Sequence, residues 1–238
     1  MKLDAKTGFT LNGKSIELKG GCFHHDNGPL GAAAIDRAEE RKIEILKKAG
    51  FNAIRTSHNP PSPYLLDVCD RMGMLVIDEA FDMWEKSKMD FMVSLLGEKG
   101  IKYTVTDYSK VFKTSWQKDL QSTVLRDRNH PLIMWSIGNE IIEAADTSGL
   151  RIAKDLVNEV RKHDKTRALT EGLVDMGPAL GGKSTWEERA PHMALLDVAD
   201  YNYGLQRYHE DHQKYPERVM YASEFMPSLS LQNWQAVY

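Results

Sequence analysis

Two strand-like segments of this chain end in a carboxylate, which makes them candidates for acid–base or nucleophilic chemistry. Residues 135–140 read Trp-Ser-Ile-Gly-Asn-Glu, so that an apolar strand ends in an amide and then in Glu140. Residues 221–225 form a second such strand, which ends at Glu224. Two carboxyl groups on either side of one bond, about 5–5.5 Å apart, are what retaining cleavage of a glycoside requires. From spacing alone, Glu140 is equally compatible with the acidic first turn of a helix.

Further polar residues follow the ends of other predicted strands. They include His24, Arg55, His58, Glu79, Asp82, Asn139, Asn202 and Tyr203. In a barrel of parallel strands all of these ends open on one face, which is where the active sites of barrels lie. His24 and His58, taken by themselves, are better explained as core or capping histidines. Whether these residues form a site therefore depends on the fold.

Strand-like and helix-like segments alternate along the chain, which favours a parallel sheet in an α/β protein. Strands are predicted at residues 16–24, 52–56, 74–78, 131–137, 167–170, 198–203 and 219–222, and helices at 34–48, 62–71, 111–126 and 147–162. The strands are apolar runs, as expected when both faces of a sheet are buried. The prediction is one domain over residues 1–238, a (β/α)8 TIM barrel with about seven recognisable strands. An open seven-stranded sheet is the alternative.

Composition excludes several classes of partner. The net charge of -3 argues against a nucleic-acid surface, and no apolar run approaches the ~20 residues of a membrane span. Cys22 and Cys69 are too few for a disulfide framework and are expected to be buried thiols. The first ten residues lack the apolar core of a signal peptide, and the compartment is not predicted.

Four segments of the chain carry a resemblance to a known family. Residues 19–25 (Lys-Gly-Gly-Cys-Phe-His-His), 51–61, 75–80 (Leu-Val-Ile-Asp-Glu-Ala) and 126–140 resemble glycoside hydrolase family 2, which includes β-galactosidases, β-glucuronidases and β-mannosidases. The similarity runs from about Gly8 to the end of the chain. It implies a retaining exo-β-glycosidase whose partner is a carbohydrate. A β-galactoside is favoured, because the Asn-Xaa-Lys signature of β-glucuronidases is not visible at the corresponding place.

The resemblance also implies a role for most of the candidate residues. It assigns Glu140 as general acid/base, Glu224 as nucleophile, and Asn139 as the amide that binds the sugar 2-hydroxyl. It places His24 and His58 in the sugar pocket.

The remaining roles concern the nucleophile and the sugar. Tyr203 is expected to hydrogen-bond the nucleophile, Arg55 to lie beside it, and Asp82 to bind substrate. The family's metal-binding β-galactosidases have a histidine shortly after the Asp-Glu-Ala strand end. None follows Asp82 here, so no metal and no other cofactor is expected.

The resemblance also raises a question of completeness. The family's eighth strand, with its aromatic pocket wall, has no counterpart here, and neither do its β-sandwich domains. The gap between residues 16–24 and 219–224 is expected either to be bridged by residues 229–238 or 1–10, or to cause homo-oligomerisation. Two alternatives follow: an inactive or weakly sugar-binding barrel fragment, and an endo-acting relative with a tryptophan-lined groove.

Overall fold

The computed structural model describes residues 1–96, 106–175 and 185–237. In these ranges the strands are β1 Lys2–Asp4, β2 Gly8–Leu11, β3 Lys14–Ser15, β4 Gly20–His24, β5 Ala53–Ser57, β6 Leu75–Glu79, β7 Leu132–Asn139, β8 Ala168–Val174, β9 Ala199–Asn202 and β10 Met220–Glu224. The helices are α1 Asp36–Lys48, α2 Pro63–Met72, α3 Lys88–Leu96, α4 Ser109–Asp127, α5 Thr147–His163, α6 Ala190–Met193, α7 Tyr208–Lys214 and α8 Ser230–Val237. Short 3-10 turns lie between several of them.

Strands β4 to β10 form one sheet in chain order, and each strand is parallel to the next. The sheet curls until its two edges face each other: the Cys22 thiol on β4 donates to the carbonyl oxygen of Ser223 on β10 at 3.5 Å. The α/β class and the incomplete TIM barrel are therefore confirmed. A flat open sheet is excluded, since its edge strands would lie far apart.

Local sequence signals explain where the barrel helices begin and end. The Ser62 hydroxyl accepts the Leu65 N–H at 3.2 Å at the start of α2, and Pro63 occupies the first helical position. Gly73 ends the helix in the left-handed conformation, with φ 64°. Helix α5 buries Ile152, Leu156 and Val160, which recur on one face, against the sheet.

The N-terminal segment closes the amino-terminal end of the barrel. Strands β1, β2 and β3 form a separate antiparallel sheet. The strand predicted over residues 16–24 is shorter in the structure, where β4 begins at Gly20. Phe9 on β2 packs with four residues from the bottom of the barrel, namely Ile77, Ile133, Met134 and Val198. A hydrophobic plug of this kind leaves the carboxyl ends of the strands as the open face.

Neither terminal segment adds a strand to the barrel in the residues that the structure describes. Residues 1–10 belong to the small sheet, and residues 230–237 form α8. Helix α8 packs near α7, where the Tyr208 hydroxyl donates to Asn233 Oδ1 at 3.1 Å. The expected bridging of the gap by a terminal segment is thus not seen as strand pairing, and association stays a prediction. None of the described helices is long and apolar enough to cross a membrane.

Candidate active site

The barrel brings the predicted carboxylates to its open face. Glu140 directly follows β7, and Glu224 is the last residue of β10. His24 ends β4, and Tyr203 directly follows β9. These positions are at the carboxyl ends of strands that are well separated in sequence, so only the curled sheet makes them neighbours.

Glu224 is held by two donors. Arg55 donates from one guanidinium nitrogen to Glu224 Oε1 at 2.6 Å, and the Tyr203 hydroxyl donates to Oε2 at 2.9 Å. His58 Nε2 lies 3.8 Å from Oε1. Burial acts to raise the pKa of Glu224, but the charge and hydrogen bond of Arg55 outweigh it, and the pKa is lowered. Glu224 is therefore ionised near neutral pH.

Glu140 has the opposite electrostatic environment. Its carboxyl group accepts one weak hydrogen bond, from the Asn202 amide nitrogen to Oε1 at 3.3 Å. Burial raises its pKa, and the negative charge of Glu224 adds to this effect. Lys88 opposes the rise without cancelling it. Two carboxyl groups with pKa values moved in opposite directions are the pattern of an acid paired with a nucleophile.

Two of the site residues have left-handed backbone conformations. Glu140 has φ 47° and Tyr203 has φ 54°, values that non-glycine residues seldom adopt. Each conformation is held by a short hydrogen bond: the Glu140 N–H donates to Gly172 O at 2.6 Å, and the Tyr203 N–H donates to Glu224 O at 2.7 Å. Such strained residues persist where the surrounding structure over-determines them, typically at functional sites.

Arg55 is the centre of a buried polar network. Its side chain is 1% exposed and reaches three oxygen acceptors: Glu224, Glu79 Oε2 (2.9 and 2.6 Å) and Asn139 Oδ1 (2.9 Å). Glu79 also contacts His58 Nδ1 through Oε1 at 2.8 Å. Sequence reasoning assigned no role to Glu79, although it ends the Leu-Val-Ile-Asp-Glu strand.

Asp82 is tied to the same network through Asn139. The Asn139 amide nitrogen donates to Asp82 Oδ1 at 3.1 Å, which leaves its second amide hydrogen for a ligand. The Lys88 ammonium lies 2.6 Å from the same oxygen. Burial acts to raise the pKa of Asp82, but Lys88 lowers it overall. A carboxylate already neutralised by an ammonium does not suit a bound cation, and no metal-type cluster of His, Cys, Asp and Glu occurs among the described residues.

The two predicted pocket histidines touch each other. Their ring centroids are 5.0 Å apart, and the rings meet edge to face. Burial, and then the neighbouring His58, lower the pKa of His24. His130, in contrast, contacts Asp70 at 2.7 Å before the start of β7, away from the open face.

Sequence reasoning assigned no role to three residues that shape the site. Asn202, which contacts Glu140, also donates to Asn139 Oδ1 at 2.9 Å and accepts from the Ser223 hydroxyl. Lys88 lies on α3, a helix that was not predicted. A side chain at Gly172 would begin 2.7 Å from an Arg55 nitrogen, so only glycine fits there. The contacts of Asn202 and Gly172 are made across the barrel, and no local signal predicts the helix that carries Lys88, so these roles do not follow from local sequence pattern.

Two cavities are lined by residues of the candidate site, Tyr203 in one and Asp82 in the other, although neither includes Glu140 or Glu224. One, of about 530 Å³, is lined by Tyr203, Phe225 and residues of the loops after β8 and β9. The other, of about 360 Å³, lies beside Asp82 and Asn59. Tryptophan lines neither cavity.

An α/β barrel with a carboxyl pair, a buried arginine and two histidines at its open face defines the class of barrel glycoside hydrolases. The family model for the TIM-barrel domain of glycosyl hydrolases family 2 matches residues 3–231. The chain belongs to this family.

Relatives and solved structures agree with this assignment. A β-galactosidase of Bacteroides ovatus, BoGH2A, is 41% identical over 233 residues, which cover 84% of this chain and 25% of that protein. A solved family 2 member from Bacteroides cellulosilyticus is 48% identical with a TM-score of 0.86, covering 99% of this chain and 28% of that one. A β-glycosidase from Bacteroides vulgatus is 34% identical with a TM-score of 0.73, covering 93% and 24%. The chain thus spans about a quarter of the length of these proteins.

Proposed function

We propose that the protein is the catalytic part of a retaining exo-β-glycosidase. One observation carries the proposal: the consecutive residues Asn202 and Tyr203 contact one carboxyl group each, Glu140 at 3.3 Å and Glu224 at 2.9 Å. Both carboxyl groups are therefore held by neighbouring residues at the carboxyl end of β9. Their pKa values are shifted in opposite directions, which supports Glu140 as the acid and Glu224 as the nucleophile.

The reaction proceeds by double displacement. Glu224 attacks the anomeric carbon while protonated Glu140 transfers its proton to the leaving oxygen, and the glycosidic bond breaks. Glu140, now a carboxylate, then removes a proton from water. The resulting attack on the anomeric carbon releases Glu224 and the sugar. Arg55 and Tyr203 stabilise Glu224 as the leaving carboxylate of this second step.

The charges around the site favour a neutral sugar such as galactose. Arg55 is engaged by Glu79 and Glu224, and Lys88 by Asp82, so that in the described part of the site these cations already have partners. A substrate carboxylate would add negative charge to this acidic cluster. The B. ovatus relative is named a β-galactosidase, although β-glucuronidases are also among the relatives. The tryptophan-free cavities favour exo over endo action.

A panel of nitrophenyl β-glycosides tests the proposal. We expect the chain, or the full-length protein that contains it, to release nitrophenol fastest from the β-galactoside, and Glu224→Gln to abolish release. Proton NMR of the first product should show the β anomer, because two displacements retain configuration. The α anomer would contradict the double displacement. Faster cleavage of the glucuronide would contradict the proposed sugar but not the mechanism.

A folded barrel fragment with little activity is the second candidate. It is favoured by the sheet, whose ends β4 and β10 have no further paired strand among the described residues. Turnover by the full-length protein together with none by this chain would support it.

A further inference from the structure

A second buried ion pair lies behind the turn that carries Glu140. His192 on α6 and Glu171 on β8 are 1% and 0% exposed, and His192 Nε2 lies 2.6 Å from Glu171 Oε2. The other ring nitrogen, Nδ1, lies 3.1 Å from the carbonyl oxygen of Ala144. Neither residue lines the two cavities of the candidate site, and the mechanism above uses neither.

The two contacts together fix how many protons the pair holds. A carbonyl oxygen can only accept, so His192 Nδ1 must carry a hydrogen. A second proton must lie between Nε2 and Glu171, because two acceptors at 2.6 Å would otherwise repel each other. Burial and the charge of Arg189 oppose protonation of His192, but Glu171 outweighs both and the pKa of His192 is raised. Near neutral pH the pair therefore holds two protons, one on His192 Nδ1 and one between Nε2 and Glu171.

Both ends of this contact adjoin the residue assigned as acid/base. Ala144 lies four residues after Glu140, in the turn between β7 and α5. Glu171 directly precedes Gly172, whose carbonyl oxygen accepts the Glu140 N–H at 2.6 Å. The pair thus links Ala144, near the end of the turn that starts at Glu140, to β8, the strand whose Gly172 accepts the Glu140 N–H. Glu140 needs such support, since its backbone is left-handed.

The same turn is fixed from its other side. Glu143 Oε1 accepts the N–H groups of Glu85 and Lys86 at 2.9 and 3.1 Å. The His192 ring stacks on Trp84, with centroids 5.7 Å apart and planes 15° apart. Trp84 in turn donates to the carbonyl oxygen of Ile137 at 3.0 Å, on the strand that leads to Glu140.

We infer that Glu171 and His192 are positioning residues for Glu140: they clamp residues 140–146 so that the carboxyl group of Glu140 meets the leaving oxygen. The inference rests on the proposed function. A displacement of this turn lowers the rate only of steps that need proton transfer, because Glu224 is held by different residues.

Comparison of leaving groups tests the clamp. His192→Phe keeps the ring on Trp84 but removes both polar contacts. We expect kcat/KM to fall about tenfold or more for an alkyl β-glycoside, which needs protonation, and less than about threefold for a dinitrophenyl β-glycoside, which does not. Glu171→Gln alone can retain both hydrogen bonds with a neutral imidazole, so this variant should keep most of the wild-type kcat/KM on both substrates. The matched control is His163→Phe, which removes a partly exposed histidine paired with Glu159 at 3.1 Å on α5. It should leave both rates unchanged.

Equal losses on both substrates would assign the pair to general stability and overturn the inference, and so would no loss on either. A second measurement is independent of turnover. Nitrogen-15 NMR of the His192 ring, assigned with the His192→Phe variant, should show Nδ1 protonated near neutral pH, because Nδ1 faces the carbonyl oxygen of Ala144. A bare Nδ1 would overturn the clamp. If the wild-type protein cleaves no glycoside, the proposed function fails. The NMR result still decides whether His192 Nδ1 donates to the carbonyl oxygen of Ala144.

Discussion

Arg55 forms the shortest of the contacts that hold the Glu224 carboxyl group, 2.6 Å between a guanidinium nitrogen and Oε1. The other guanidinium nitrogens are fixed by Glu79 and Asn139, so the arginine cannot turn away from Glu224. A buried arginine with such fixed geometry supplies a charge that does not need to reorganise during the reaction. The ionised state of Glu224 on β10 therefore depends on Arg55 on β5, which lies near the other end of the strand order.

Replacement of Arg55 should change the pH dependence of hydrolysis. Arg55→Lys keeps a positive charge but cannot reach three acceptors, so the pKa of Glu224 should rise towards or above its ordinary value. Because the reaction requires the ionised form, the acidic limb of kcat/KM should move up by about one pH unit. Activity is lost first at low pH. The measurement is a pH profile with a nitrophenyl substrate.

Arg71→Lys is the matched control, since Arg71 is 57% exposed and pairs with Glu40 on the surface. Its acidic limb should coincide with that of the wild-type protein. An unchanged acidic limb in Arg55→Lys would mean that Arg55 does not set the ionisation of Glu224.

The two carboxyl groups should respond differently to substitution. Glu140→Ala removes the proton donor, so hydrolysis of poor leaving groups should fall by about 10²–10⁴, while the first step with good leaving groups is spared. Azide should restore turnover, because it attacks the glycosyl-enzyme without a general base. Glu224→Gln should abolish turnover of every substrate, with or without azide. Rescue of Glu224→Gln but not of Glu140→Ala, measured by nitrophenol release, would reverse the two assignments.

Much of the barrel could be predicted from the sequence because its signals are local. Apolar runs mark the strands β5 to β10, and Ser62, Pro63 and Gly73 mark the ends of α2. The antiparallel sheet β1–β3 was not predicted, since its strands are short and half exposed. Helix α3 also lacks a local signal that distinguishes it from a loop.

The site was predicted less completely than the fold. Glu140 and Glu224 stand out because each ends an apolar strand. Glu79 contacts Arg55, 24 positions away, and Asn202 contacts Asn139, 63 positions away. Lys88 reaches Asp82 from a short helix. No pattern along the chain encodes these contacts. The His192–Glu171 pair is likewise visible only in three dimensions.

Lys88 should set the basic limb of the pH profile. It lies near Glu140 and lowers its pKa, against the rise that burial causes. Lys88→Met removes this charge and leaves Asp82 unpaired, and both changes favour protonated Glu140. The basic limb of kcat/KM should therefore move to higher pH. Lys110→Met, which breaks an exposed pair with Asp90, is the control. A shift to lower pH in Lys88→Met would contradict the assignment of Glu140 as the acid.

Removal of metal ions should have no effect on hydrolysis. Asp82 is the carboxylate that follows the Asp-Glu-Ala strand end, and the Lys88 ammonium lies 2.6 Å from it. A hard cation such as Mg²⁺ prefers oxygen ligands without a competing positive charge. We expect equal rates in EDTA and in added Mg²⁺, measured on the same nitrophenyl substrate. Loss of activity in EDTA that Mg²⁺ restores would show that a metal ion binds in a way this site does not suggest.

The two edges of the sheet should make this chain associate. Strand β4 and strand β10 have no further strand paired to them among the described residues, and exposed backbone of this kind pairs with other chains. Their contact through Cys22 and Ser223 covers only the carboxyl end of the gap. Light scattering should therefore show dimers or larger species that increase with concentration.

A charge on the edge should oppose this association. Gly21 on β4 is exposed, and a side chain there would meet only the Phe51 ring at 3.7 Å, so Gly21→Lys should fold. The lysine should shift the protein towards the monomer, because edge lysines block strand pairing. Ser15→Lys adds the same charge to an exposed position of the small sheet and should leave the association unchanged. Equal scattering from wild type and both variants would place the association elsewhere, and a monomeric wild-type chain would show that the contact between β4 and β10 is enough to protect the edges.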